Sequence, residues 1–183
     1  MSVDELVFVT GNPNKAREVA QILDFPLSQI SVDLPEIQSD LVEEVVVSKA
    51  KAAFSILGKK VLVEDTSLVF TSMNNLPGPL IKWFVKNVGI DGLIKLAHSG
   101  VSTQAKAIAC FGLYDGQGEV ITFMGEVDGN IADQPMGEDG FGWDPIFIPK
   151  GYKQTFAQIS GEEKNKISHR FKALEKLKAF LAK

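Results

Sequence analysis

The chain has 183 residues, 45% of them hydrophobic and 23% charged, which suits one compact domain spanning residues 1–183 that buries its core without disulfides or structural metal. Lysine and arginine total 19 against 23 aspartates and glutamates, a formal net charge of −4. That balance excludes a protein whose main business is coating nucleic acid, and any bound anion must meet a local basic site. One cysteine excludes an internal disulfide, and with two histidines it supplies too few ligands for zinc chemistry. Cys110 lies in the apolar stretch 107–113 and reads as a core residue. Residues 1–5 show no basic region ahead of a long apolar one, and nowhere do eighteen apolar residues run together. A cytoplasmic location without a membrane partner is the expectation.

Leu6 to Val9 is short and apolar, as a buried strand is, and it ends in Thr10-Gly11-Asn12-Pro13-Asn14-Lys15. Ala16, Val19, Ala20 and Leu23 then repeat at the spacing of an amphipathic helix. A strand that turns sharply into a helix aims free backbone N–H groups and the positive helix end at one spot; Gly11 permits close approach, and Lys15 adds a full charge. The turn matches neither G-x-x-x-x-G-K-[ST] nor G-x-G-x-x-G. Alone, it fits a phosphate cradle and a plain connection with a solvated lysine equally well. Residues 29–33 predict a second strand. Asp40 with Glu43 resembles a capping box for a helix reaching Leu57, with Gly58 at its left-handed end. Val61-Leu62-Val63 predicts a short buried strand that delivers Glu64 and Asp65 to its C-terminal end, where ligands gather in α/β sheets.

Pro77-Gly78-Pro79 breaks the chain ahead of a helix carrying Leu80, Ile81, Phe84 and Val85, and Gly89 separates it from a shorter one. Residues 105–114 and 119–128 flank Asp115-Gly116-Gln117-Gly118 and predict a hairpin. From 130 to 155 the chain is rich in Gly and Pro and too long for structureless chain, which points to function or short embedded strands. A last helix carries Ile167, Phe171, Leu174, Leu177 and Leu181 on one stripe. Ser160 with Glu163 would cap it, or Ser168 would, and both starts remain open.

Glu64-Asp65-Thr66 is the strongest acidic candidate, because carboxylates carried by a buried strand are stiff and stiff carboxylates suit Mg²⁺, which takes one or two of them plus phosphates and water. Glu36 is the candidate for the other carboxylate. The competing reading is that Glu64 and Asp65 merely end a strand and cap a turn. Phe141-Gly142-Trp143-Asp144-Pro145-Ile146-Phe147 combines aromatics, a glycine and a fixed carboxylate, as a loop that clamps a base does. Stacking tolerates any base, so selectivity needs directed hydrogen bonds. Ser168-His169-Arg170 offers donors suited to a 6-keto purine, where adenine presents a donor of its own. The competing reading places His169 and Arg170 on the polar face of the last helix. His98 reads as a helix-end residue without a chemical role, and the absence of G-x-S-x-G argues against a Ser-His-Asp hydrolase.

Five motifs taken together, Thr10-Gly11-Asn12 with Lys15, Glu64-Asp65-Thr66-Ser67-Leu68, Pro77-Gly78-Pro79-Leu80-Ile81-Lys82-Trp83-Phe84, Phe141-Gly142-Trp143-Asp144-Pro145, and Glu163-Lys164-Asn165 with Ser168-His169-Arg170, resemble the inosine triphosphate pyrophosphatases, most closely the eukaryotic branch. The likeness runs from about residue 6 to residue 175. It implies an α/β fold with an elongated mixed central sheet flanked by helices, in two lobes with the active site in the cleft between them. It implies a Mg²⁺-dependent homodimer that hydrolyses inosine and xanthosine triphosphates and their deoxy forms to monophosphate and pyrophosphate. Carried over, the resemblance puts Thr10, Gly11, Asn12, Pro13, Asn14 and Lys15 around the triphosphate, with Lys49 and Lys164 as further cations. Glu36 and Asp65 would hold the metal. Asp65 also resembles the proposed general base, Glu64 beside it would support the metal through water, and Lys15 joins them as a catalytic residue with Thr66 adjacent. Lys82, Phe141, Gly142, Trp143, Asp144, Ser168, His169 and Arg170 would contact the nucleoside. The loop 73–76 and Lys166 depart from the pattern. Two rivals are a triphosphatase releasing orthophosphate and a nucleotide sensor without turnover; the carboxylates Glu36, Glu64 and Asp65 speak against the second.

Overall fold

The computed structural model describes residues 6–23, 25 and 27–182, so the reading of residues 1–5 lies outside the described residues. β1 (Val7–Val9) turns into α1 (Pro13–Ile22), and β2 (Ser28–Ile30), shorter than expected, lies parallel to β1. α2 (Val42–Leu57) buries Val42, Val45, Val46, Lys49, Ala50 and Ala53, one continuous helical stripe that carries a lysine into the interior. It ends at Gly58 with φ +60°, as the sequence leads one to expect. Its start differs from the expected Asp40–Glu43 box. Leu41 stands at the N-cap, Ser39 Oγ accepts the Leu41 N–H and donates to Glu44 Oε2 at 2.7 Å, and Glu43 is drawn away to the Thr122 hydroxyl.

β3 (Val61–Phe70) is ten residues long, where a three-residue strand was expected. It continues through Glu64-Asp65-Thr66 because β5 (Gln104–Tyr114) pairs with it all the way, from Val61 opposite Tyr114 to Phe70 opposite Ala105. Cross-strand pairing outweighs the local polarity. β5 and β6 (Ile121–Ile131) form the expected hairpin, β6 displaced toward the C-terminus. α3 (Ile81–Ala97) follows the two-residue β4 (Pro77–Gly78) and is broken at Gly89, where φ +70° and ψ −179° leave the helical region. The long loop holds a short 3₁₀ turn, Asp144–Ile146, and β7 (Phe147–Pro149). Both serines are used as caps. Ser160 Oγ accepts the Glu163 N–H to start α4 (Gly161–Ile167), and Ser168 Oγ accepts the Phe171 N–H to start α5 (His169–Leu181).

The sheet runs β2-β1-β3-β5-β6-β7, with β4 on the free part of β3; β1 is parallel to β2 and β3, and the remaining pairs are antiparallel. On one edge of β3, β1 pairs through Val61 and Leu62 and β4 through Leu68 and Val69. Among the described residues no strand covers the interval 63–67 on that side. Apolar packing divides accordingly. One cluster joins Leu62 and Phe111 to α1 and α5, a second joins Val61 and Val63 to α2, and a third joins Leu68 and Phe70 to α3 and to Trp143, Ile146 and Phe147.

Candidate active site

Glu64 and Asp65 sit inside that uncovered interval, mid-strand, not at a strand terminus. What ends beside them is β1, so the C-terminal edge of a parallel strand faces them after all. Successive strand residues point to opposite faces. Glu64 shares the face of Leu62, toward α1 and α5, and Asp65 shares the face of Val63, toward α2.

The Thr10–Lys15 turn corrects the expectation of several free backbone donors. The Thr10 N–H bonds Ile30 O at 3.0 Å, the Asn12 N–H bonds Thr10 Oγ1 at 3.1 Å, and the Asn14 and Lys15 N–H groups bond Asn12 Oδ1 at 3.0 and 3.2 Å. Pro13 has no N–H to give. Asn12 is therefore the N-cap of α1, and the positive charge of this turn is that of Lys15. Its ammonium lies 2.8 Å from Glu64 Oε2 and 4.0 Å from Asp65 Oδ1.

Lys49, from the buried stripe of α2, reaches Glu36 Oε1 at 2.9 Å and Asp65 Oδ1 at 3.5 Å. Lys82, whose side chain is 74% exposed, approaches Glu36 Oε2 at 3.7 Å. Burial pushes the Asp65 carboxyl above its ordinary value against the pull of Lys15 and Lys49. Burial also opposes the charge on Glu64, but the Arg170 guanidinium and Lys15 outweigh it and bring that carboxyl down to about 2. Glu36 and Asp65 thus converge on one ammonium. Two carboxylates around a shared cation, open to phosphate and water, are the donor set Mg²⁺ takes. Among the described residues there is no cluster of three or more His, Cys, Asp or Glu that could hold a metal; Glu36 and Asp65 are candidates through their shared contact with Lys49.

Around the aromatic loop the charges are sealed. Lys164 Nζ lies 2.6 Å from Asp144 Oδ2 and 2.8 Å from Glu18 Oε1. Arg170, 1% exposed, donates through Nη1 to Glu18 Oε2 and through Nε and Nη2 to Glu64 Oε1, the latter two at 3.2 and 2.7 Å. Asp144 Oδ2 also accepts the Phe141 N–H at 2.7 Å, a tight loop that Gly140 and Gly142 allow with φ of +80° and +62°. The Phe141 ring covers both cations, with Lys164 Nζ 4.9 Å and the Arg170 guanidinium carbon 5.6 Å from its centroid. His169 packs against both Trp143 and Phe156, with ring centroids 5.3 and 6.0 Å away, and those two rings also touch each other. Burial first, then Arg170 and Lys164, push its pKa well below the ordinary value, so it is neutral, and its Nδ1 has no hydrogen-bond partner.

The sequence matches the Ham1 family over residues 6–180. The chain belongs to the Ham1 family. The inosine triphosphate pyrophosphatase of Yarrowia lipolytica is 49% identical, over 97% of this chain and 95% of that protein, and its namesake in Scheffersomyces stipitis is 46% identical, over 96% and 97%. The dITP/XTP pyrophosphatase of Methanopyrus kandleri is 41% identical over 94% and 93%. In three dimensions the Staphylococcus aureus Ham1 protein superposes with a TM-score of 0.84 at 30% identity, over 97% of this chain and 98% of that one.

In this Ham1 family member ten acidic and basic side chains alternate without a break: Asp144, Lys164, Glu18, Arg170, Glu64, Lys15, Asp65, Lys49, Glu36 and Lys82. Nine of them are residues singled out from sequence. The tenth, Glu18, was missed. The sequence pattern hid it, because the expected stripe Ala16, Val19, Ala20 and Leu23 turns Glu18 outward, whereas α1 buries Glu18, Val19 and Ile22 and exposes Ala20. Thr66 lies partly buried in β3, Ser168 is spent as a cap, and Trp143 and His169 are packed into the core under the loop.

Proposed function

We propose that this chain hydrolyses inosine and xanthosine triphosphates, and their deoxy forms, to the monophosphate and pyrophosphate, clearing non-standard purines from the cytoplasmic nucleotide pool. The observation that carries this reading is the convergence of Glu36, Asp65, Lys49 and Lys15 on one spot, joined by ion pairs to the aromatic loop at Asp144. The names of the relatives supply the substrate class.

Glu36 and Asp65 would hold Mg²⁺, which supplies neutralisation of phosphate charge when bound. Asp65 orients a water for in-line attack on the α-phosphorus and takes its proton; burial, by raising its pKa, makes it a stronger base than an ordinary aspartate. The new bond joins water oxygen to phosphorus, the bond to the β-phosphate oxygen breaks, and the pyrophosphate leaves toward Lys15 and Lys49. At the other end Arg170 and Lys164 are obligate donors. They satisfy a 6-keto oxygen and repel the 6-amino group of adenine. A base reaching them must displace the Phe141 ring, which then offers its face for stacking.

The test is product analysis with ITP, XTP, dITP and ATP, with and without Mg²⁺. Pyrophosphate from the first three, only with the metal, and poor turnover of ATP is the expected result. Orthophosphate would point to a triphosphatase, and binding without turnover to a sensor. The reading includes a homodimer, which light scattering of the purified chain tests directly.

A further inference from the structure

Glu64 holds a position that the reaction as written does not use. Its side chain is 0% exposed, and it faces away from the Glu36–Asp65 spot, toward α1 and α5. Its two oxygens are divided between the two ends of the site. Oε1 accepts Nε and Nη2 of Arg170, at the base end, and Oε2 faces the Lys15 ammonium, at the phosphate end, at 2.8 Å. A carboxylate is planar and stiff, so turning one oxygen turns the other.

We propose that Glu64 is a positioning residue that makes turnover depend on the base, by fixing Lys15 against the phosphates only while Arg170 is correctly engaged. The proposal rests on the function proposed above. Arg170 is the one group of the base end that bonds directly to a group of the phosphate end; Lys164 stops at Glu18 and Asp144. A keto oxygen accepts from the guanidinium and leaves its fork on Glu64 in register. An amino group at the same place presents a donor to a donor, pushes the guanidinium aside, and moves Oε1 and hence Oε2 with it. Lys15 then keeps only Asp65, at 4.0 Å. A displacement of about 1 Å in a group that touches the reacting phosphates is enough to cost on the order of a hundredfold in rate. Selectivity on this account is expressed in kcat as well as in binding.

The experiment compares kcat and KM for ITP and ATP, with Mg²⁺ at saturation, in the wild type, Glu64→Gln, Lys15→Met and the double variant. Glu64→Gln keeps an oxygen for Arg170 and loses the charge that holds Lys15. The expected result is a fall of about tenfold or more in kcat for ITP, less than about threefold for ATP, and a KM for ITP within about threefold of wild type. With Lys15 already replaced, adding Glu64→Gln is expected to leave the ITP-to-ATP ratio unchanged. Equal losses for both substrates would mean plain electrostatic support and overturn the proposal. Should Glu64→Gln fail to fold, Glu64→Asp retains the charge on a shorter arm and is expected to lower the same ratio; an unchanged ratio overturns the coupling there too. A wild type that prefers ITP beside a Glu64→Gln that keeps the preference sinks the coupling alone. A wild type with no preference sinks the proposed function with it.

Discussion

The two ends of the ion chain use the same chemistry and hold it differently. At the phosphate end Glu36 is 41% exposed, Lys82 is 74% exposed, and Lys49 and Asp65 meet at 3.5 Å, longer than a hydrogen bond. At the base end Glu18, Lys164 and Arg170 are all buried, with Glu64 buried between the two ends, and each ion pair among them has a contact of 2.8 Å or shorter. Pairs that are long or exposed, as Lys49–Asp65 and Lys82–Glu36 are, contribute little to stability and separate easily, so their charges are available to a ligand. Buried pairs are costly to break, because removing one partner strands the other out of water. The open end is therefore built to exchange its partners for phosphate and metal, and the sealed end to keep its cations aimed.

The largest effect that this contrast predicts is in activity at the open end. Asp65→Asn is expected to lower kcat for ITP by about 10² to 10³, while the melting temperature stays within a few degrees, since that carboxyl is held above its ordinary value by burial. Steady-state kinetics beside thermal unfolding check both halves. At the sealed end the balance reverses. Glu18→Gln leaves Arg170 and Lys164 each short of a carboxylate and is expected to cost about 3 kcal/mol of stability by urea unfolding. Glu36→Gln is expected to cost less than about 1 kcal/mol. Equal losses at the two sites would erase the distinction.

How much of this was legible in the sequence follows from the same physics. Lys15, Lys49, Asp65 and Arg170 were found because several short motifs coincide with one family in order and spacing. Gly58, Gly89, Ser160 and Ser168 were legible from local backbone chemistry, and each stands where a cap or break is needed. The length of β3 was not, because Glu64-Asp65-Thr66 looks like a strand end until β5 is laid beside it. Nor was the use of the Asn12 side chain, which takes the donors that the turn was expected to offer a ligand. Glu18 pairs with residues 146 and 152 positions away. The stripe Ala16, Val19, Ala20 and Leu23 turns it outward, and only the fold shows it buried and names its partners.

A smaller effect concerns His169, the neutral member of the sealed end. Burial, with Arg170, Lys164 and Lys15 nearby, keeps its folded pKa well below the ordinary value. Between pH 7 and pH 5 the unfolded chain therefore takes up a proton that the folded chain refuses, and stability falls as the pH drops through about 6.5. By pH 5 the loss from this one group is at most about 2 kcal/mol, the ceiling set by the unfolded chain's proton uptake. Urea unfolding at pH 7 and pH 5 is expected to show that extra loss in the wild type and not in His169→Gln. If both lose equally, the proton goes elsewhere.

The smallest effect belongs to Lys82, the outermost charge of the open end. It reaches Glu36 at 3.7 Å from a mostly exposed side chain, and its ammonium also lies 6.0 Å from the centroid of the half-exposed Trp83 ring. A pair of this kind changes stability by no more than about 0.5 kcal/mol. Its charge still adds to the field that an incoming triphosphate meets, and that contribution is screened over about 8 Å at physiological salt. Lys82→Ala is therefore expected to leave Tm and kcat unchanged and to raise KM for ITP by about threefold at low salt, the difference vanishing as salt is added. A drop in kcat that survives at high salt would instead make Lys82 part of the positioned machinery, and the boundary between lent and fixed charges would have to move outward past Glu36.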